Sequence, residues 1–168
     1  MTRAPRGFDP ERLLGTLVEH RVRFVLIGGW AAKLQGSPTV TADIDICYGR
    51  DLENLDRLAQ ALSDLEVRLR GVDDEVPFVL DARSLRAGDS FTLSTSAGDI
   101  DLIASPAGSG GFDALIESSD ELELDDMYVA VASLADLISM KRAAARPKDL
   151  VEAEILQALE REAKHRRD

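Results

Sequence analysis

The sequence predicts an α+β domain, a small mixed β-sheet flanked by helices. Three observations carry that prediction. Short apolar runs of strand length are interleaved with segments of helical spacing. Two runs, Asp43-Ile44-Asp45-Ile46 and Asp99-Ile100-Asp101-Leu102, alternate acidic and apolar residues with a period of two. The chain then closes on two segments with helical spacing. At 168 residues the chain fits one domain. Its core is expected over about residues 9 to 131, with a helical C-terminal part over about 133 to 166.

The elements follow in order. Asp9-Pro10 is a helix N-cap followed by proline at the first helical position. Leu13, Leu14, Leu17 and Val18 give that helix one apolar face. Val22 to Ile27 is a buried strand that ends at Gly28-Gly29. Trp30 to Gln35 forms a short helix, stopped by Gly36-Ser37-Pro38. Thr41 to Tyr48 is a second strand, and Leu52 to Leu65 has helical spacing through Leu55, Leu58, Leu62 and Leu65. Short strands are expected near Val67-Leu69, Val79-Leu80 and Phe91-Leu93, with an acidic turn at Asp73-Asp74-Glu75. Gly98 to Ala104 is a strand, and Pro106 to Gly111 a glycine-rich loop. Glu121 to Asp125 alternates as a strand with one solvated face does. Ser133 and Asp136 form a variant capping box that opens a helix to about Ala145. Pro147 starts a last helix with Val151, Ile155, Ala158 and Leu159 on one face, and Lys164-His165-Arg166-Arg167 is expected to be a frayed tail.

Hydrophobic residues make up 45% of the chain and charged residues 30%, the balance of a globular protein. The single cysteine, Cys47, excludes an intramolecular disulfide and suits a reducing compartment. Met1 to Phe8 has two arginines but no apolar stretch behind them, so a secretory signal is not expected. The apolar runs fall far short of the ~20 residues a spanning helix needs. A cytoplasmic protein with no membrane partner is expected. The net charge of -11 repels nucleic acid as a whole. A nucleic-acid partner would need a local basic patch, and two segments offer one: Arg68 with Arg70, and Lys141-Arg142 through Arg146 and Lys148.

The chemistry concentrates on the aspartates. Asp43 and Asp45 stand two apart on a strand, so both leave one face while Ile44 and Ile46 leave the other. Two carboxylates so placed repel each other and ask for a counter-charge. Mg²⁺ is bound by a couple of carboxylates, with water and substrate phosphate completing its shell. Asp43 and Asp45 are therefore candidate metal ligands. Gly28-Gly29 ends the preceding strand and opens a helix, where backbone N–H groups can meet a phosphate. Asp99 and Asp101 share a face of a third strand. Asp101, between Ile100 and Leu102, is a half-buried carboxylate that calls for a positive partner. It is the candidate third ligand or general base, whereas Asp99 beside Gly98 reads equally as a turn cap. Lys141 lies on the apolar stripe of Leu134, Leu137 and Ile138, either snorkelling to water or pointing toward the sheet. Trp30 reads as a core or cleft wall. Cys47 lies on the aspartate side of its strand.

Gly28-Gly29-Trp30-Ala31-Ala32, Thr41-x-Asp43-Ile44-Asp45-Ile46 and the later Asp101 resemble the signature of the nucleotidyltransferase superfamily that includes DNA polymerase β. The small bacterial branch is the most similar: minimal, AbiEii-type toxin-like, and lincosamide and aminoglycoside nucleotidyltransferases. Leu137-Ile138-x-Met140-Lys141 and Arg146-x-Lys148-Asp149 look like the helical tail of such proteins. The resemblance implies the nucleotidyltransferase fold with C-terminal helices. It implies two Mg²⁺ ions at Asp43, Asp45 and Asp101, and a nucleoside triphosphate held by Gly28, Gly29, Trp30, Thr41 and Lys141. A nucleoside monophosphate would pass to a hydroxyl of a small molecule, a protein or tRNA. Two positions depart from the pattern. Gly29 stands where many relatives have serine, and Thr39 where many have arginine. The other reading is a degenerate member that binds nucleotide or a partner protein, as in a toxin–antitoxin pair. A single small domain also leaves one side of the cleft for the C-terminal helices or a second subunit to cover.

Overall fold

A computed structural model describes residues 7–72 and 78–167. The acidic turn expected at Asp73-Asp74-Glu75 lies outside them. Asp9 caps the first helix, α1 (Pro10–Glu19), accepting from the Arg12 amide. β1 (Phe24–Ile27) is buried throughout and runs directly into α2 (Gly28–Leu34). β2 (Asp43–Tyr48) follows, then α3 (Leu52–Asp64), capped by Asp51. Next come β3 (Arg68–Leu69), α4 (Ala82–Ala87), β4 (Ser90–Thr95) and β5 (Gly98–Ile103). α5 (Phe112–Ser118) leads to β6 (Asp120–Leu124) and β7 (Met127–Val131). The chain closes with α6 (Leu134–Ala144), capped by Ser133, and α7 (Pro147–Arg167).

The strands form one mixed seven-stranded sheet in the order β3-β4-β5-β2-β1-β7-β6. β2 pairs antiparallel with β1 and parallel with β5, at the centre of the sheet. Ile44, Ile46, Ile100 and Leu102 share one side of that centre and are fully buried in a single core with Leu13, Leu14 and Leu17 of α1 and Leu55, Leu58 and Leu62 of α3. Asn54 locks the edge of this core. Its amide donates to the carbonyls of Arg23 and Gly49 and accepts from the Arg23 amide, tying α3 to the outer ends of β1 and β2.

The predicted architecture and most elements match, and the differences have physical causes. No strand forms at Val79-Leu80. Leu80 is buried, and Asp81 instead caps α4, accepting from the Ser84 amide. The strand expected over Glu121 to Asp125 ends one residue early, at Leu124. Asp125 and Asp126 both take positive φ, 48° and 64°, in the two-residue turn of a hairpin. That turn reverses the chain into β7, which the sequence reading overlooked because the pair carries no glycine. α5 was likewise missed, as it lies behind the glycine-rich loop with only Phe112 and Leu115 buried. The basic C-terminal residues are not a frayed tail but the last turn of α7.

Candidate active site

The sheet register assembles the site. Asp43 lies opposite Asp99 and Asp45 opposite Asp101 on the parallel pair β2 and β5. Period-two geometry puts all four carboxylates on one face, away from the isoleucine side. One oxygen each of Asp43, Asp45 and Asp101 lie within 4.8 Å of one another. Asp99 is outside that group: its Oδ1 accepts from Ser94 Oγ at 2.9 Å and its Oδ2 faces Arg70 Nε at 3.3 Å. Geometry thus groups Asp101, and not Asp99, with the pair on β2.

Backbone and hydroxyls hold the three in place. Thr41 Oγ1 donates to Asp43 Oδ1 at 2.8 Å. Ile27, the last residue of β1, pairs with Asp45, so the Gly28 turn begins beside that carboxylate. Gly28 has φ +72°, and a Cβ there would stand 2.1 Å from Asp45 Oδ2. Only glycine allows both the left-handed backbone and that approach. Gly29 backs onto Thr41 in the same way, since its Cβ would meet the Thr41 Cβ at 2.9 Å. A serine at this position would press on the residue that orients Asp43.

The electrostatics are those of an acid cluster. Burial first, then Asp43, then a hydrogen bond and charge from Asp101 push the Asp45 pKa up to about 7, with Lys141 pulling the other way. Asp101 Oδ1 is buried and completes no aligned hydrogen bond, although Arg70 Nη2 lies 3.0 Å away. Three converging carboxylates, one with a buried oxygen left without a hydrogen bond, are a donor set that fits a hard divalent cation.

A cleft of about 360 Å³ opens over Asp45 and Asp101. Ile27, Gly28, Asp45 and Asp101 form its floor, and Leu137, Met140 and Lys141 of α6 its facing wall. Lys141 does not snorkel into solvent. It pairs with Glu152 and, at 3.5 Å, with Asp149, both on α7. Asp149 is only 2% exposed, and the Arg146 side chain hydrogen-bonded to it, at 2.7 Å, leads the causes that lower its pKa. The second basic segment named from the sequence is thus paired with α7 acids at Lys141, Arg146 and Lys148. A larger groove of about 630 Å³ lies at the end of α7 between Gln35, Asp120 and Arg167, away from these carboxylates.

Trp30 and Cys47 fall elsewhere. Trp30 is 8% exposed, packed with Phe8 at 6.0 Å under the Lys33 ammonium at 4.5 Å, which makes it a core residue rather than a surface for a base. Cys47 shares the aspartate face of β2 but is fully buried, its thiol donating to the Ala104 carbonyl. Sequence reasoning missed the roles of Arg70, Ser94, Asp149 and Glu152. The half-burial of Asp101 did signal that a cation would be near it, but not which one.

A family model described as aminoglycoside-2''-adenylyltransferase matches residues 11–156. No curated protein matches the chain. Among solved structures, the chain is similar to ANT(2'')-Ia in complex with adenylyl-2''-tobramycin, with 17% identity and a TM-score of 0.53 over 95% of this chain and 97% of that one. It is similar to the lincomycin-bound lincosamide antibiotic adenylyltransferase LnuA, with 16% identity and a TM-score of 0.59 over 91% and 99%. It is also similar to a protein of Thermotoga maritima described as a nucleotidyltransferase, with 18% identity and a TM-score of 0.52 over 92% and 96%. At these identities the structures speak to the fold alone.

Proposed function

The chain belongs to the aminoglycoside-2''-adenylyltransferase family and is a nucleotidyltransferase; from that premise we propose that it moves an adenylyl group from ATP to a hydroxyl of a small, cationic acceptor. The observation that carries this reading is the convergence of Asp43, Asp45 and Asp101 within 4.8 Å beside the Gly28-Gly29 turn. Asp43 and Asp45 are the metal ligands, with Asp101 as third ligand or base. Mg²⁺ is the ion this donor set favours, with two ions in the complete complex. Bound there, it would neutralise phosphate charge and make the α-phosphorus more electrophilic.

The protein's own groups supply the rest. The bare backbone at Gly28 and Gly29 lets a phosphate come close, and Thr41 keeps Asp43 aimed at the cluster. Lys141, steadied by Glu152 and Asp149, presents an ammonium to the triphosphate. The acceptor oxygen attacks the α-phosphorus while its proton passes to the Asp101 carboxylate. The bond to pyrophosphate breaks, and pyrophosphate leaves with that electron pair. The absence of Ser at 29 and Arg at 39 shifts the phosphate grip onto backbone and Lys141.

Charge and relatives support the acceptor class. A net charge of -11 draws cations and repels nucleic acid. One solved relative carries adenylyl-tobramycin and another lincomycin. Use of ATP and a single unpaired thiol agree with a cytoplasmic site of action. The test is incubation with α-labelled ATP, Mg²⁺ and, separately, tobramycin, lincomycin and bulk tRNA. The expected outcome is a labelled small molecule and free pyrophosphate, lost in Asp43→Ala. Label on tRNA alone, or no product with any acceptor, would overturn the proposal.

A further inference from the structure

Arg70 leaves the end of β3 and crosses β4 to reach β5. Its backbone amide donates to the Thr92 carbonyl, which fixes its base on the sheet. Nη2 lies 3.0 Å from Asp101 Oδ1, and Nε 3.3 Å from Asp99 Oδ2. Nη2 also donates to the Leu93 carbonyl at 2.8 Å and to that of Ile100 at 3.4 Å. Asp99 is held in turn by Ser94 Oγ. The result is a chain, Ser94 to Asp99 to Arg70 to Asp101, that runs along the sheet into the carboxylate cluster.

Two features of this chain matter. The side chain of Arg70 is 29% exposed and that of Asp101 25%, so the pair is partly shielded from screening by water. Yet neither Arg70 Nε nor Asp101 Oδ1 completes an aligned hydrogen bond. The guanidinium does not grip Asp101 in the two-pronged fork that would lock it. Its hydrogen bonds go to backbone carbonyls and its charge to the carboxylates. Such a contact offsets charge and still can be displaced. Asp43 has no arginine or lysine within ion-pair distance among the described residues, so the two halves of the cluster differ.

We propose that Arg70 is a positioning residue that serves as the resident counter-cation of Asp101. A divalent cation then fills the Asp43–Asp45 side first and reaches Asp101 only by displacing the Arg70 contact. Asp99 belongs to this device as the outer anchor of the guanidinium, not as a metal ligand. The consequence is an order of filling: the nucleotide-free enzyme takes one ion, and the second waits for the negative charge that a triphosphate brings. This inference rests on the reading of the cluster as a cation site.

The experiment is a Mn²⁺ titration without nucleotide at pH 8, following free Mn²⁺ by electron paramagnetic resonance. The unmutated protein should bind one Mn²⁺. Arg70→Met should bind a second ion, or the first roughly tenfold more tightly, because a like charge has been removed from the Asp101 oxygen. Arg70→Gln, which keeps donors for the Leu93 carbonyl, should do the same and stands in if the methionine variant fails to fold. Arg70→Lys, retaining the charge, should stay within about threefold of the unmutated protein. The gain should vanish when Asp101→Asn is added, since the two changes act on one contact. A merely structural arginine would instead weaken Mn²⁺ binding when removed. Unchanged or weaker binding in both charge-removing variants overturns the inference while leaving the cation site standing. A gain that persists with Asp101→Asn does the same. Failure of the unmutated protein to bind Mn²⁺ removes the cation site and the inference with it.

Discussion

Gly28 and Asp45 form the tightest joint of the site. The glycine at φ +72° leaves room for a carboxylate that any Cβ would strike at 2.1 Å. Gly28→Ala must move Asp45 or the turn. It should cut adenylyl transfer at least a hundredfold and cost roughly 1–3 kcal/mol in denaturant unfolding, since strain at positive φ and a clash add together. A variant as active as the parent would contradict this account of the turn. Asp45 also sets a pH dependence. Its pKa in the folded chain is about 7, whereas an unfolded aspartate titrates near 4. The protonated form is favoured by folding, so this contribution is complete below about pH 4 and is lost as pH rises through 7. In EDTA the protein should melt at a higher temperature at pH 5.5 than at pH 8, and Mg²⁺ should narrow that gap. Identical melting curves in EDTA at the two pH values would remove the role of Asp45. At this scale the sequence was informative about types and spacing. It named Asp43, Asp45 and Asp101 from period-two alternation. It preferred Asp101 to Asp99 but could not say what Asp99 does, because that depends on Ser94 and Arg70 from other stretches of the chain.

Elements decide which of these residues meet. The central parallel pair β2 and β5 turns two separate Asp-x-Asp runs into one patch. α6 brings Lys141 over it, and α7 holds Lys141 from behind through Asp149 and Glu152. Asp149 is nearly buried and receives Arg146 and Lys141 at once. Asp149→Asn removes the charge both cations answer to, and should lower stability by about 1–3 kcal/mol and raise the KM for ATP more than it lowers kcat. Chemical denaturation and steady-state kinetics check the two parts, and an unchanged KM would separate Lys141 from the nucleotide. The helical pattern of both segments was legible, since caps and apolar spacing are local. Their mutual pairing was not, because an acid on one helix face reads as a solvated charge until its neighbour is placed. β7 escaped notice for a local reason. A two-residue Asp-Asp turn takes positive φ at both positions without the glycine that usually signals it.

For the molecule as a whole, the excess of acidic residues supports the proposed cationic acceptor over a nucleic acid. With tobramycin as acceptor, the KM should rise several-fold between 50 and 500 mM salt, roughly as screening shortens the reach of the negative surface, while kcat changes little. A fall in the acceptor KM with salt would argue for an apolar acceptor instead. No helix among the described residues is long and apolar enough to cross a membrane.

The sequence by itself determined the α+β class, most strands and helices, the glycine turn and the three carboxylates. Each of these is written in periodicity, caps or short spacing, which act over a few residues. Tertiary structure alone decided that Asp45 and Asp101 face each other, that Arg70 attends Asp101, that Lys141 is held from α7, and that Trp30 and Cys47 belong to the core. These depend on strand order and helix packing across long stretches of chain. No local pattern encodes which distant residue will supply the missing charge.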